Sequence, residues 1–185
     1  MSDAELVERA REGDTAAFGQ LVDRHRTAAF RAALAVLGSP AEAEDAAQDA
    51  CVQAFKRLSQ YRGEASFRTW LMRITWRTAI TRRRRLAWTL RWSRLDDATT
   101  DPPAPPEQAS PERGLLDTEL AQTVRRVVQG LPAKFREPLL LAAGDTGYAE
   151  IAEVLGVAEG TVKWRVSEAR RLLKARLQRI GVHHG

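Results

Sequence analysis

Apolar residues recur three and four positions apart through most of this chain, and no stretch alternates with the two-residue period of a strand. That pattern predicts an all-α protein. Ala4 to Gly13 reads as a short helix ended by glycine. Asp14-Thr15 can cap a second helix from Ala16 to about Leu37, whose Phe18, Leu21, Val22, Ala29, Ala33 and Val36 form an apolar stripe. Gly38 stops it, and Ser39 ahead of Pro40 opens a third helix to about Leu58. After a polar loop from Ser59 to Ala65, a longer helix runs from Ser66 to Arg85. On it Phe67, Trp70, Leu71, Ile74 and Thr78 share one face, the predicted core face.

Between residues 87 and 117 the helical pattern gives way. Asp101-Pro-Pro-Ala-Pro-Pro106 and Ser110-Pro111 cannot be helix interior, and such stretches form extended, semi-rigid spacers. A structureless connection of this length inside one compact domain is unusual. The expected organisation is therefore a helical domain over 1–86, a flexible Pro-rich acidic linker over 87–117 and a second helical domain over 118–185, the two domains being held apart. In the second, helices are expected from Asp117-Thr118 to Gly130, from Pro132 to Leu141, from Tyr148 to Leu155 and from Glu159 to about Ile180.

The segment from Tyr148 to Val166 fits a helix-turn-helix. Ala152 is the small residue that lets two helices cross, Gly156 tolerates the turn, and Ile151, Leu155, Val157, Val162 and Val166 seal the crossing. In that motif the start of the second helix enters the major groove, which here offers Glu159, Gly160, Thr161, Lys163 and Trp164. Arg165, Arg170 and Arg171 are placed for phosphates. A plain amphipathic hairpin with a solvated basic face is the competing reading, and the Ala, Gly and Val spacing favours DNA binding.

Charge sharpens this picture. The net charge is only +5, but residues 62–94 carry ten Arg and one Glu, whereas residues 95–119 carry one Arg and seven Asp or Glu. Residues 120–185 are basic again. Two basic blocks around an acidic one imply two polyanion contacts and a spacer that avoids or mimics nucleic acid. On the central helix, Arg73, Trp76, Arg77 and Arg84 form a second stripe of cations around an indole, which suits unpaired DNA: the cations hold phosphates and the ring stacks on a base. The run Arg82 to Arg85 also reads as a solvated charge run.

Enzyme chemistry finds no footing. A single cysteine, Cys51, excludes an internal disulfide and a cysteine-cluster zinc site. His25 has no ligand at metal spacing, and His183-His184 lies in a tail. No phosphate-cradling glycine loop and no nucleophile elbow occur. No catalytic residue, cofactor or metal is expected. With no signal segment and no apolar run of membrane-spanning length, a soluble cytoplasmic protein without membrane insertion is expected.

Two segments together resemble one family. Glu42-Ala-Glu-Asp-Ala-Ala-Gln-Asp-Ala-Cys-Val-Gln-Ala-Phe55 resembles region 2.2 of bacterial sigma factors of the extracytoplasmic-function (ECF) group, and Tyr61-Arg-Gly-Glu-Ala-Ser-Phe-Arg-Thr-Trp-Leu-Met-Arg-Ile74 resembles regions 2.3 and 2.4. Leu131 to Leu141 with the helix-turn-helix resembles region 4. The resemblance implies an RNA polymerase subunit that selects promoters and aids strand opening, with core RNA polymerase, promoter DNA and an anti-sigma factor as partners. It assigns core binding to Asp45, Gln48 and Asp49, a face that the residues alone equally read as a solvated acidic stripe. It assigns the minus-ten element to Tyr61, Arg62 and Ser66 in the loop, beside Arg73, Trp76, Arg77 and Arg84. The minus-thirty-five element falls to Glu159, Gly160, Thr161, Lys163, Trp164, Arg165 and Arg170. Family members usually carry Asn where this chain has Arg77 and Asp where it has Thr81. A helix-turn-helix regulator that acts without polymerase is the alternative.

Overall fold

In the first half of the chain, helix starts are set by side chains that accept from the first turn's unpaired amides. The Ser2 hydroxyl accepts from the Glu5 amide while the Glu5 carboxylate accepts from the Ser2 amide, a capping box that opens α1 (Asp3–Arg11). Asp14 accepts from Ala17 N and opens α2 (Thr15–Leu37). Ser39 accepts from Glu42 N, and Pro40 fills the first turn of α3 (Pro40–Lys56), where its missing N–H costs nothing. A 3-10 turn, Leu58–Gln60, leads to the loop before α4 (Phe67–Asp96). The second half comprises α5 (Glu119–Gln129), α6 (Ala133–Ala142), α7 (Tyr148–Leu155) and α8 (Glu159–Arg179). The structure, a computed structural model, describes residues 1–96 and 119–180, and only helices and their connections occur among them.

One boundary differs from expectation. The sequence reading ends the fourth helix at Arg85 and begins a linker at 87, yet α4 continues to Asp96. Residues 86–96 contain no Pro or Gly, and the next proline after Pro40 is Pro102, so nothing local terminates the helix. The rest of the expected linker, and the cap expected at Asp117-Thr118, lie outside the described residues.

Helices α1–α4 enclose one core. Leu6, Leu21, Ala29, Ala50, Ala54, Phe67 and Leu71 are buried there, with Cys51 and Trp70 packed at its margin. Phe67 lies at the centre of an aromatic group, its ring 6.3 Å from Phe18, 6.0 Å from Tyr61 and 5.7 Å from Trp70 between centroids. In the second half, α6, α7 and α8 pack mutually, with Leu131, Phe135 and Ala169 in a smaller core.

The two halves do not stand apart. Ala28, Ala32 and Ala35 of α2 and Met72 of α4 bury against Leu141 of α6, Ile151, Ala152 and Val154 of α7 and Val162 of α8. The two helical halves expected from the sequence touch through this contact. Its cause is a second apolar face on α2 and α4, built from alanines and one methionine rather than a continuous stripe of large residues.

Gly156 closes α7 in the left-handed conformation, φ +67°, and its N–H donates to the Ala152 carbonyl. A Cβ there would meet nothing within 4 Å. Replacing Gly156 with Ala therefore strains only the backbone, by about 1–2 kcal/mol. Thermal unfolding of the Gly156→Ala protein is expected to come down by a few degrees; an unchanged midpoint would refute the assignment.

Candidate nucleic-acid interface

The turn at Gly156 sets α8 across α7 over the small residue Ala152. Val162, Val166 and Ala169 face inward and are fully buried. This rotation puts Glu159, Gly160, Lys163, Trp164, Ser167, Arg170 and Arg171 on the outer face, while Thr161 and Arg165 are half-buried beside them. Trp164 is 58% exposed and touches the protein edge-on through Phe135, 5.7 Å between centroids. Lys163 Nζ lies 2.8 Å from the Glu159 carboxylate, whose hydrogen bond and charge raise the lysine pKa and hold it cationic. All seven residues predicted for duplex DNA thus come together on the first three turns of one helix. The major groove of B-DNA admits an α-helix, and this face offers it charged side chains around one exposed indole.

A second basic surface lies between α3 and α4. A groove of about 580 Å³ runs there, and five arginines line it: Arg57, which caps the end of α3, and Arg73, Arg77, Arg82 and Arg85 from α4. Across it Gln53 Nε2 donates to Thr78 Oγ1 at 3.1 Å, and Trp70 forms part of the wall. Of the residues predicted for unpaired DNA, Arg73 and Arg77 line this groove, whereas Trp76 does not. Its ring turns to the opposite side of α4, half-buried between the α2–α3 contact and the second half of the chain. Arg84 is exposed on the surface. Sequence reasoning missed Arg57, Gln53 and Arg85. The signal was the strict four-residue row Arg73, Arg77, Thr81, Arg85, which faces the continuation of Asp49, Gln53 and Arg57 at the same spacing on α3.

The loop before α4 abuts the outer end of this groove. The Tyr61 ring packs on Trp70 at 5.1 Å, and its hydroxyl donates to the Ala65 carbonyl at 2.7 Å. Burial, then the Asp3 charge, push the Tyr61 pKa up against the opposing effect of Arg11. Ser66 caps α4 by accepting from Thr69 N at 3.1 Å, and Gly63 supplies a positive φ of 76°. Arg62 extends into solvent, its guanidinium 4.0 Å from Glu64.

On the outer side of α3, Asp45, Gln48 and Asp49 are exposed on one face. Arg82 reaches over from α4 and pairs with Glu42, with Asp45 at 2.8 Å and with Asp49 at 3.5 Å. The Glu42 hydrogen bond is the main reason the Arg82 pKa is raised, with burial opposing it. Two of the three residues predicted for core binding therefore share one arginine with Glu42, which leaves the cluster net negative, and Gln48 stands outside it. Among the described residues no group of His, Cys, Asp or Glu is arranged to hold a metal ion. His25 lies 2.6 Å from Asp3, and His183 and His184 fall outside the described residues. No helix among the described residues is long and apolar enough to cross a membrane.

Comparison with known proteins decides between the readings. Residues 21–89 match the family described as Sigma-70 region 2, and residues 121–173 match Sigma-70, region 4. The RNA polymerase sigma-H factor of Pseudomonas aeruginosa is 33% identical, across 95% of this chain and 94% of that protein. The ECF RNA polymerase sigma factor SigM of Mycobacterium tuberculosis is 36% identical, across 97% of this chain and 84% of the relative. The chain belongs to the ECF RNA polymerase sigma factors. Among solved structures, CnrH in complex with the cytosolic domain of CnrY matches this sigma factor with a TM-score of 0.67 and 29% identity, across 95% of this chain and 97% of that one. The sigma factor RpoE of Bartonella quintana, crystallised with the anti-sigma factor NepR, matches with a TM-score of 0.67 and 25% identity, across 87% of this chain and 96% of that one. In this sigma factor the groove and the loop fall in region 2, and the exposed face of α8 belongs to the helical half that matches region 4.

Proposed function

We propose that this ECF sigma factor brings core RNA polymerase to its promoters by dividing the work between its two basic surfaces. Glu159, Gly160, Thr161, Lys163, Trp164, Arg165 and Arg170 of α8 read the minus-thirty-five duplex. The α3–α4 groove takes the unpaired minus-ten strand, with Arg57, Arg73, Arg77 and Arg85 on its phosphates. Tyr61, Arg62 and Ser66 in the adjoining loop hold the leading base, and Arg84 contacts backbone further on. The sigma factor carries no chemistry of its own here; the bond-making belongs to the polymerase. Asp45, Gln48 and Asp49 dock on cations of the polymerase, which must displace Arg82 from the two aspartates. Neighbouring sigma factors solved with partners support a protein partner of the anti-sigma kind for this chain as well.

The observation that carries this reading is the pairing of an exposed basic helix face on α8 with a separate arginine-lined groove between α3 and α4. Run-off transcription with core polymerase on a library of genomic promoters tests it. Transcripts should appear only when the sigma factor is added. Duplex binding by the holoenzyme should fall steeply with salt, with a slope of about −0.9 per phosphate contact. Tight binding of duplex DNA by the sigma factor alone, with no transcript from core, would point instead to a regulator that works without polymerase.

A further inference from the structure

Helix α4 outruns the core it helps to build. Ala79 is its last fully buried side chain among the described residues, and from Arg84 to Thr89 every side chain is exposed. Six residues exceed one turn, so no side of this stretch is buried. A helix held by its own backbone alone is marginal in water and gains from a ligand that covers one side. Two apolar side chains stand in this stretch, Leu86 at 40% exposed and Trp88 at 64%, and no other large apolar side chain among the described residues is as open as Trp88.

Trp88 continues the row that floors the α3–α4 groove. It follows Trp70 by eighteen residues, about five full turns, so the two indoles leave α4 at the same angle, about 27 Å apart. Trp70 lines the groove, and Arg77, Thr81 and Arg85, which line it too, fall along the same side between them. The charge along this row suits a polyanion, because no carboxylate occurs between Glu64 and Asp96. Several arginines of α4 are already engaged: Arg68, Arg73 and Arg83 pair with Glu150, Glu153 and Glu137 of the second half, and Arg82 with the acidic face of α3. Among the described residues no carboxylate pairs with Arg77, Arg84 or Arg85, which leaves these three to outside anions.

We propose that Trp88 is a base-stacking platform at the far end of the strand path. The unpaired strand continues out of the groove along α4, with Arg84 and Arg85 on its phosphates and one base laid on the exposed indole. This rests on the reading of the groove as the minus-ten strand path. Cations interleaved with an open aromatic ring hold single strands because the cations take the backbone and every base has a face that can stack, so the contact adds affinity with little sequence preference. An acidic protein would meet the same arginines, but it would not require the ring to sit on the groove's own row.

The test uses the holoenzyme and a promoter recovered from the run-off library, made as a fork with either strand in turn left unpaired across the minus-ten element and a single abasic site moved along it. Trp88→Ala should weaken binding of the intact fork about tenfold, the scale of one base–aromatic stack, and Trp88→Phe should retain most of the affinity. At one position the abasic site should cost the unsubstituted holoenzyme about as much and cost the Trp88→Ala holoenzyme nothing, while elsewhere the two losses multiply. The thermal midpoint of the free chain should not move, since the ring is exposed. No loss on Trp88→Ala, or a loss that multiplies with the abasic site at every position, would overturn the platform. So would an equal loss in assembly with core polymerase measured without DNA, which would make the indole a polymerase contact. Arg57→Ala with Arg77→Ala on the same forks separates this from the groove reading. If that pair weakens binding and Trp88→Ala does not, the groove stands and the platform falls. If Trp88→Ala couples to one base while the arginine pair costs nothing, the platform stands and the groove falls.

Discussion

Removing Arg57 and Arg77 together, as Arg57→Ala with Arg77→Ala, is expected to lower promoter opening by the holoenzyme about a hundredfold while leaving its recruitment to the minus-thirty-five duplex unchanged. The two guanidinium groups line the groove from opposite sides, one from the end of α3 and one from α4. Neither takes part in the ion pairs between the halves of the molecule, so the substitution does not loosen that contact. A hydrogen bond to a charged group contributes about 1.5–3 kcal/mol, and two at the lower figure amount to about two factors of ten. The loss should fall on the step that holds unpaired bases, because the proposed division of labour gives duplex DNA to α8 and not to this groove. Permanganate reactivity of thymines in the melted region reads the first quantity, and a band shift on a duplex that ends before the minus-ten element reads the second. Equal losses in both would mean that the groove only supports the fold. No loss in either would place the single strand elsewhere on region 2.

How much of this was legible before the structure depends on where the information lies along the chain. Helix starts were legible because a cap acts within four residues: Asp14, Ser39 and Ser66 each accept from an amide three positions on. The turn at Gly156 was legible for the same reason, since a left-handed residue is a local demand. The end of α4 was not legible, because the chain offers nothing there that forbids helix and the reading leaned on prolines that begin only at Pro102. The contact between the halves was hidden more deeply. Ala28, Ala32 and Ala35 carry too little apolar surface to announce a buried face, and their partners Leu141, Ile151 and Val154 stand more than a hundred residues away. Arg83 illustrates the consequence. Within the run of four arginines it reads as a solvated charge, yet it is tied to the buried Glu137 and reaches the Val36 carbonyl. Trp76 reads from the sequence as a stacking platform because its neighbours Arg73 and Arg77 are cationic, but one step of helical rotation carries it away from the groove. The polar site on α8 fared better, since its buried row of Val162, Val166 and Ala169 fixes which residues must face out.

The segregation of charge along the chain acquires a structural meaning from these contacts. The excess of arginine over residues 62–94 is shared among three clients on α4: the α3–α4 groove, the carboxylates of region 4 and the acidic face of α3. Arg82 links two of them, lining the groove while it pairs with Asp45 and Asp49. A partner that captured those aspartates would therefore release a cation at the edge of the groove, which couples the two surfaces through one side chain under the proposed function.

The largest effect on stability is expected from Phe67→Ala. Phe67 is 2% exposed at the first turn of α4, with Phe18 and Trp70 against its ring and the His25 ring 5.8 Å from it. Deleting a buried phenyl costs about 3–5 kcal/mol through lost burial and the cavity left behind, against a total stability of about 5–15 kcal/mol for an ordinary domain. For a protein of this length the thermal midpoint should drop by on the order of 10 °C. Function should fail with it in a particular way, because the residues that hold the loop, Tyr61 and Trp70, both lean on this ring. Phe55→Ala provides the contrast. It removes the same atoms from a site 45% exposed, where the ring meets Phe18 edge-on at 5.0 Å, and much of its surface is already in water. Its midpoint should move by only a small part of the shift for Phe67→Ala. Paired melts by circular dichroism measure the difference. Similar shifts for the two variants would show that Phe67 is not the keystone of the first core, and that the loop owes its shape to the Tyr61–Ala65 hydrogen bond rather than to packing.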